Sequence, residues 1–338
     1  MHGCRQVLLR RGPNHYLEIL PRAARICEGV YKYYDAHLEN LYRPMQEDGP
    51  GKVILHGYGF NIILRGSGMN RVSWNFAGRE FRPPIPKDYR GVEDFSRDIL
   101  RAKEVSLEAE RVLAPDLRRD FGSLLRHSLD SLIDSCSASL ARPVDLFSLY
   151  WLREARTWSD INFLFSLRQN VNECCVVLDN QVVETFLATP PEHRFESRVY
   201  KRALEMLVQR LARLVDANTL LPARWGPWLS GVSPHKRLYG RWLWSVARRT
   251  YRRHAAPWTC TSGSWDDITL LWKCSPLPGR LERLLVDEAA MRDGVIDPGA
   301  ARRLIAEHRT STSYHPTLLT LLLTFLEWRK DSYVAYGR

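Results

Sequence analysis

The apolar positions of this chain change character along its length. His15-Tyr16-Leu17-Glu18-Ile19-Leu20 alternates, which predicts a short strand. Ile26 to Tyr42 is patterned as a helix, and Gly49-Pro50-Gly51 then breaks the chain. Val53-Ile54-Leu55 is a short apolar run bounded by glycines and predicts a buried parallel strand. His56-Gly57-Tyr58-Gly59 follows as a tight loop with a helix expected after it. Strand, glycine loop and helix are the parts of an α/β nucleotide-binding edge.

From about residue 90 the pattern becomes helical. Phe121, Leu125, Leu129, Leu132, Cys136 and Leu140 recur at spacings of three and four and so share one helical face. Tyr200, Ala203, Leu204, Leu207, Leu211 and Leu214 do the same. Leu318 to Trp328 is apolar all round and is expected inside a core. The predicted organisation is a partial α/β half over 1–70 and a large, mainly helical part over 71–338.

Composition narrows this only slightly. With 45% apolar and 26% charged residues over 338 positions, the chain has the profile of a folded protein. The net charge of +11 favours anionic partners such as nucleotides, nucleic acid or acidic lipid, although a basic solvated surface meets the same balance. Much of that charge sits at 217–265, which contains no acidic residue. There Lys236, Arg237, Arg241, Arg248, Arg249, Arg252 and Arg253 interleave with Tyr239, Trp242, Trp244 and Tyr251. Such a stretch suits phosphate contacts and base stacking, or a basic face whose tryptophans pack inward; composition alone makes nucleic acid the lesser of the two.

The seven cysteines include no C-x-x-C, so neither a zinc site nor a redox pair is signalled. The vicinal Cys174-Cys175 lies in an apolar run and is expected to be buried. No secretory signal opens the chain, and Leu318 to Leu326 is too short to span a bilayer, so a cytoplasmic protein without membrane contact is expected. The ten histidines are scattered and H-E-x-x-H is absent, so no metal site built from protein ligands is expected.

Three stretches, in order, carry candidate chemistry. Val53-Ile54-Leu55 with Gly57, Gly59, Asn61, Ile62 and Gly66 is an apolar strand followed by a glycine-rich turn. Val176-Val177-Leu178-Asp179, with Glu184 and Pro190, is the second. Tyr200-Lys201-Arg202-Ala203-Leu204 is the third. Together they resemble the synthetase domain of the glutamine-hydrolysing asparagine synthetases, in its C-terminal part, weakly from about His15 to Trp328. The family patterns are a strand followed by G-x-G-G-D-E, then P-F-L-D with v-v-E-f, then K-x-x-L-R.

The resemblance implies an incomplete nucleotide alpha-hydrolase-like, Rossmann-like sheet edge, and ATP and Mg²⁺ as cofactors. It also implies a reaction that adenylates a carboxylate and passes ammonia to it. By that resemblance Lys201 faces the ATP phosphates, Asp179 shapes the substrate loop, and Gly57, Gly59 and Asn61 line the nucleotide. The implied partners are a small-molecule carboxylate and a second chain supplying the N-terminal half or a glutaminase.

The departures matter as much. Asn61 and Ile62 stand where the family has Asp and Glu, Val176 and Val177 replace Pro and Phe, Cys174 replaces an arginine, and Glu205 replaces the arginine of K-x-x-L-R. The family's S-G-G-x-D-S phosphate loop would precede residue 1. Mg²⁺ prefers carboxylates beside the phosphates, and an amide with an alkyl group does not supply them. Three readings stay open: an amide-forming ligase, a non-catalytic relative that binds a partner, and a nucleic-acid-binding protein. The family reading makes a geometric demand. Val53 to Leu55 is to lie in a parallel sheet, Asp179 between two helices, and Lys201 near the start of the next, all along one cleft with an exposed sheet edge.

Overall fold

The computed structural model describes residues 14–30, 32, 33, 39, 53–56, 69, 71–76, 79–81, 85–90, 92–102, 109–137, 150, 166–169, 171–214, 271–273, 275–310, 312, 313 and 315–336. These residues are mostly helical, with two small sheets. In one, β1 (Val53–His56) pairs in parallel with β4 (Asn172–Cys175). In the other, β2 (Trp74–Phe76) pairs antiparallel with β3 (Arg79–Phe81). A parallel pair joining strands so far apart in sequence makes the fold α/β in the broad sense.

The first element corrects the sequence reading. His15–Ile26 is a helix, α1, and not a strand. The alternation at its start is equally the start of a helical face: Tyr16, Ile19, Leu20, Ala23 and Ala24 are buried at spacings of one, three and four. Pro21 sits inside it and removes one backbone donor, which the packing of that face outweighs. The helix expected over Ile26 to Tyr42 does not start as read, because α1 ends at Ile26 and 27–30 form a turn; most of the rest of that stretch lies outside the described residues. The chain turns through Glu28 and Gly29, both left-handed (φ 50° and 71°), and Gly29 N–H returns to the Ala24 carbonyl at 3.1 Å. Gly29 lies against Trp328, where a Cβ would come within 2.8 Å of the indole.

The described parts of 92–137 are mainly helical, as read; Leu140, the last residue of the expected face, lies outside the described residues. Helix α2 spans Val92–Ala102, and α3 spans Pro115–Ser137 with Leu129 and Ile133 buried. Between them Val112 joins the main core, and Leu113 bridges to Ile296.

The main core is built at the C-terminal end. Helices α8 (Leu277–Leu284), α9 (Glu288–Met291) and α10 (Pro298–Arg309) pack, with α1, on α11 (Pro316–Tyr336). (Helices α4 to α7 fall within 180–212.) Their starts are written in the sequence. Asp287 accepts the N–H groups of Ala289 and Ala290, and Asp297 accepts that of Ala300, with Pro298 as the first helical residue. Helix α11 lies in the core as its composition predicts, with Leu318, Leu319, Leu322, Leu323 and Leu326 buried.

Several polar groups inside bond to one another. Trp272 Nε1 donates to Thr320 Oγ1 at 2.8 Å, Tyr33 N–H donates to Thr324 Oγ1 at 3.1 Å, and Arg280 Nε donates to the buried carboxylate of Glu327 at 2.9 Å. Both threonine hydroxyls donate back to carbonyls of their own helix, of Pro316 and Thr320, at 2.7 Å. No helix among the described residues is long and apolar enough to cross a membrane.

Candidate functional site

The site region begins at the strand pair. The register sets Val53 beside Asn172, Ile54 beside Glu173, Leu55 beside Cys174 and His56 beside Cys175, so both strands end together. The sheet is not buried as expected: Val53 is 56% and Leu55 is 72% exposed, while Ile54 is half-buried. Cys174 is exposed and Cys175 half-buried, which corrects the expectation of a buried thiol pair. Two strands have too little face to sheathe one another, so alternate side chains stay in solvent.

Beyond β4 the chain makes one tight turn, Val176–Leu178, and enters α4 (Asn180–Ala188). Asp179 is the N-cap of α4, and its Oδ1 accepts the Gln181 N–H at 2.9 Å. The sequence reading places Asp179 in a loop between two helices; here it lies between the single turn that follows β4 and the start of α4. Inside α4, Thr185 Oγ1 donates to the Gln181 carbonyl and Thr189 Oγ1 to that of Thr185, both at 2.7 Å.

Pro190 caps the single turn α5 (Pro191–Arg194), with Pro191 at its first position. The next turn, Phe195–Ser197, holds two consecutive non-glycine residues in the left-handed region, Glu196 (φ 57°) and Ser197 (φ 62°). That conformation costs an L-residue about 1–2 kcal/mol. The carboxylate of Glu196 pairs with Arg71. Helix α6 (Arg198–Leu207) follows, with Lys201 in its first turn, and α7 (Gln209–Ala212) continues after a break at Val208. The apolar face read across 200–214 is therefore interrupted. Leu207 is 81% exposed, and no residue of α6 is fully buried.

Asp179, α4, Arg194 and Val199 enclose a cavity of about 430 Å³. Arg194 is only 2% exposed, and its guanidinium lies 4.6 Å from the centre of the Phe186 ring. The wall between the polar groups is made by Val182, Phe186 and Val199.

The structure brings one of the two described candidate residues to this cavity. Asp179 lines it. Lys201 does not; it lies two residues beyond Val199 on α6, about 200° around the helix. Gly57, Gly59 and Asn61, and the basic stretch 217–265, lie outside the described residues. Among the described residues no three His, Cys, Asp or Glu side chains gather to hold a metal ion. Arg194 is the group that sequence reasoning missed. Its one signal is position: Pro190-Pro191 fix the backbone before it, and an aromatic follows. No family model, curated protein or solved structure matches this chain.

Proposed function

We propose that this chain is an asparagine synthase-like domain on a Rossmann-like sheet edge, and that it does not catalyse adenylation by itself. The observation that supports the family reading is the parallel pairing of β1 with β4. The strand leading to Gly57 and the strand leading to Asp179 were matched to the family separately. They end side by side at their carboxyl ends, where open α/β sheets bind ligands. Lys201 in the first turn of α6 also agrees with the family arrangement.

The chemistry argues for loss of activity. Adenylating a carboxylate demands that charge on the transferring phosphoryl group be held by Mg²⁺ and fixed cations. The donor set does not fit Mg²⁺. Asn61 and Ile62 occupy the positions at which the family carries two acids, which leaves Asp179, with one oxygen capping α4, as a lone carboxylate. A role in binding a partner or a residual small-molecule ligand is what remains to such a domain.

Two measurements test the proposal. With ATP, Mg²⁺, aspartate and ammonia, the chain is expected to release no pyrophosphate above a protein-free control. Turnover that disappears in Lys201→Ala would overturn the non-catalytic reading. The strand register is tested by Leu55→Cys, which sets a thiol beside the exposed Cys174. A short bifunctional thiol reagent is expected to join the two, with the linked peptides identified by mass spectrometry. If Cys174 and the new thiol never join, the pairing fails and the family reading loses its support.

A further inference from the structure

Helix α6 turns apolar side chains outward. Val199, Arg202 and Met206 recur along it at spacings of three and four and so share one face, with Leu207 beside it. That face is the exposed one. Val199 and Arg202 are in solvent, Met206 is 70% exposed and Leu207 is 81% exposed. The helix breaks at Val208, itself exposed, and Leu214 faces solvent just beyond α7. A single exposed leucine is ordinary, whereas five large apolar side chains exposed along one short stretch mark an interaction surface.

Cations are interleaved with them. Residues 198–214 hold Arg198, Lys201, Arg202, Arg210 and Arg213, of which Arg202, Arg210 and Arg213 are exposed. The one acid of the stretch is Glu205, which Arg202 meets at 3.3 Å. The surface is therefore apolar and cationic at once, on a chain whose net charge is already +11, and its charge complement is an anion.

The mixture discriminates among anionic partners. A second copy of the chain would bring like charges together across this face. Nucleic acid would engage the arginines, but single strands bind by stacking on rings, and the stretch has one aromatic residue, Tyr200, which is half-buried. An acidic protein would answer the charge, yet it would need a hollow shaped to Met206 and Leu207, which stand off the surface. A bilayer interface needs no such fit. Its acyl boundary takes up protruding apolar side chains, while its anionic headgroups lie level with the arginines. Contact of this kind requires no spanning helix. It departs from the expectation, drawn from span length in the sequence, of a protein without membrane contact.

We propose that Val199 to Leu214 is a docking surface for an anionic lipid bilayer. Met206, Leu207, Val208 and Leu214 enter the boundary between headgroups and acyl chains, and Arg202, Arg210 and Arg213 meet the lipid phosphates. The proposal is independent of the family reading.

The test sediments the full chain with two kinds of vesicle, phosphatidylcholine alone and an equal mixture of phosphatidylcholine and phosphatidylserine. The chain is expected to bind the mixed vesicles, and to bind phosphatidylcholine at least about tenfold more weakly, because the arginines then face no net charge. Met206→Ser with Leu207→Ser changes only exposed groups, so Tm is expected to hold while affinity for the mixed vesicles falls at least about tenfold. Arg210→Gln with Arg213→Gln is expected to lose as much. Poly-L-glutamate, a polyanion with no acyl phase, is expected to bind the parent and the serine variant equally.

Absence of binding to the mixed vesicles overturns the proposal. So does equal affinity of the parent and the serine variant for them, the result that a purely electrostatic contact through the basic residues of 217–265 would give. Loss of poly-L-glutamate binding in the serine variant overturns it as well, because the apolar side chains would then serve an acidic polymer and not a bilayer.

Discussion

The C-terminal helical core and the segment from β4 to α7 are held together by different means. In the first, side chains from α1, α8, α9, α10 and α11 bury one another completely, as Leu20, Leu281, Leu323 and Leu326 do. In the second, among the described residues, the apolar cluster beside the site consists of Val177 and Phe186, with Cys175, Val182 and Val183 partly covered, and Phe195 and Ala212 are buried apart from it. Around it Val176, Met206 and Leu207 face solvent. Apolar burial is worth about 25 cal/mol per Å², so stability concentrates in the helical core. The region with the candidate site is left lightly packed, which is where local opening costs least.

The sharpest way to break this comparison is a pair of truncations. Trp272 is 1% exposed and hydrogen-bonded to Thr320, so Trp272→Ala is expected to cost about 3–5 kcal/mol in urea denaturation. Phe186→Ala removes a ring from a cluster with few neighbours and is expected to cost about 1–2 kcal/mol, below the usual range for such a change. Equal costs would show that the two regions form one core. Next in size is Gly29→Ala, which meets both a left-handed backbone and the Trp328 ring. About 1–3 kcal/mol is expected to be lost, and an unchanged Tm would show that the contact with α11 yields freely.

Acid sharpens the comparison further, because its effects fall on the helical core. Asp287 is held below the usual carboxylate range first by Lys330, whose Nζ lies 2.8 Å away, and then by the Ala290 and Ala289 N–H groups. Asp297 is lowered chiefly by the Ala300 N–H. At Glu307 burial pushes upward, but hydrogen bonds from Arg111 and His315 more than reverse it, and the net direction is down. A lowered carboxylate adds stability above its unfolded pKa and loses it as pH falls through the folded value. The Tm of the core is therefore expected to drop below about pH 4. Asp287→Asn is expected to flatten part of that drop, and a Tm that does not move between pH 5 and pH 3 would remove the explanation. The smallest effect belongs to the site segment. Asp179→Ala should cost about 1 kcal/mol as a lost cap, while Asp179→Asn should cost close to nothing.

What the sequence disclosed follows the same division. Helices α3 and α11 are legible because each is long and its apolar spacing is read many times over. The strand Val53–His56 is legible through its bounding glycines, and Asp179 through its place before a helical run. The stretch His15 to Leu20 is not, because six residues of near-alternation fit a strand and a helix equally until Ala23 and Ala24 extend the pattern. Burial of β1 could not be read from Val53-Ile54-Leu55. Apolarity tells what a residue prefers, whereas the number of strands available to cover it is a tertiary fact. Arg194 was hidden for a related reason. A lone arginine reads as surface, and only the convergence of α4, α5 and α6 encloses it.

Helix α11 carries a consequence of its own. From Leu318 to Leu326 it is apolar on nearly every side, so burial of that stretch alone leaves its rotation nearly degenerate. The buried Glu327 carboxylate on Arg280 lifts part of that degeneracy, and Thr320 and Thr324 lift more of it. They are one turn apart, and their oxygens must meet the Trp272 indole and the Tyr33 amide at the same time. Turned by one residue, the helix would remain buried but would strand two donors in an apolar interior. The leucines thus supply the adhesion of this helix, and its buried threonines and Glu327 act together as the key to its angular setting.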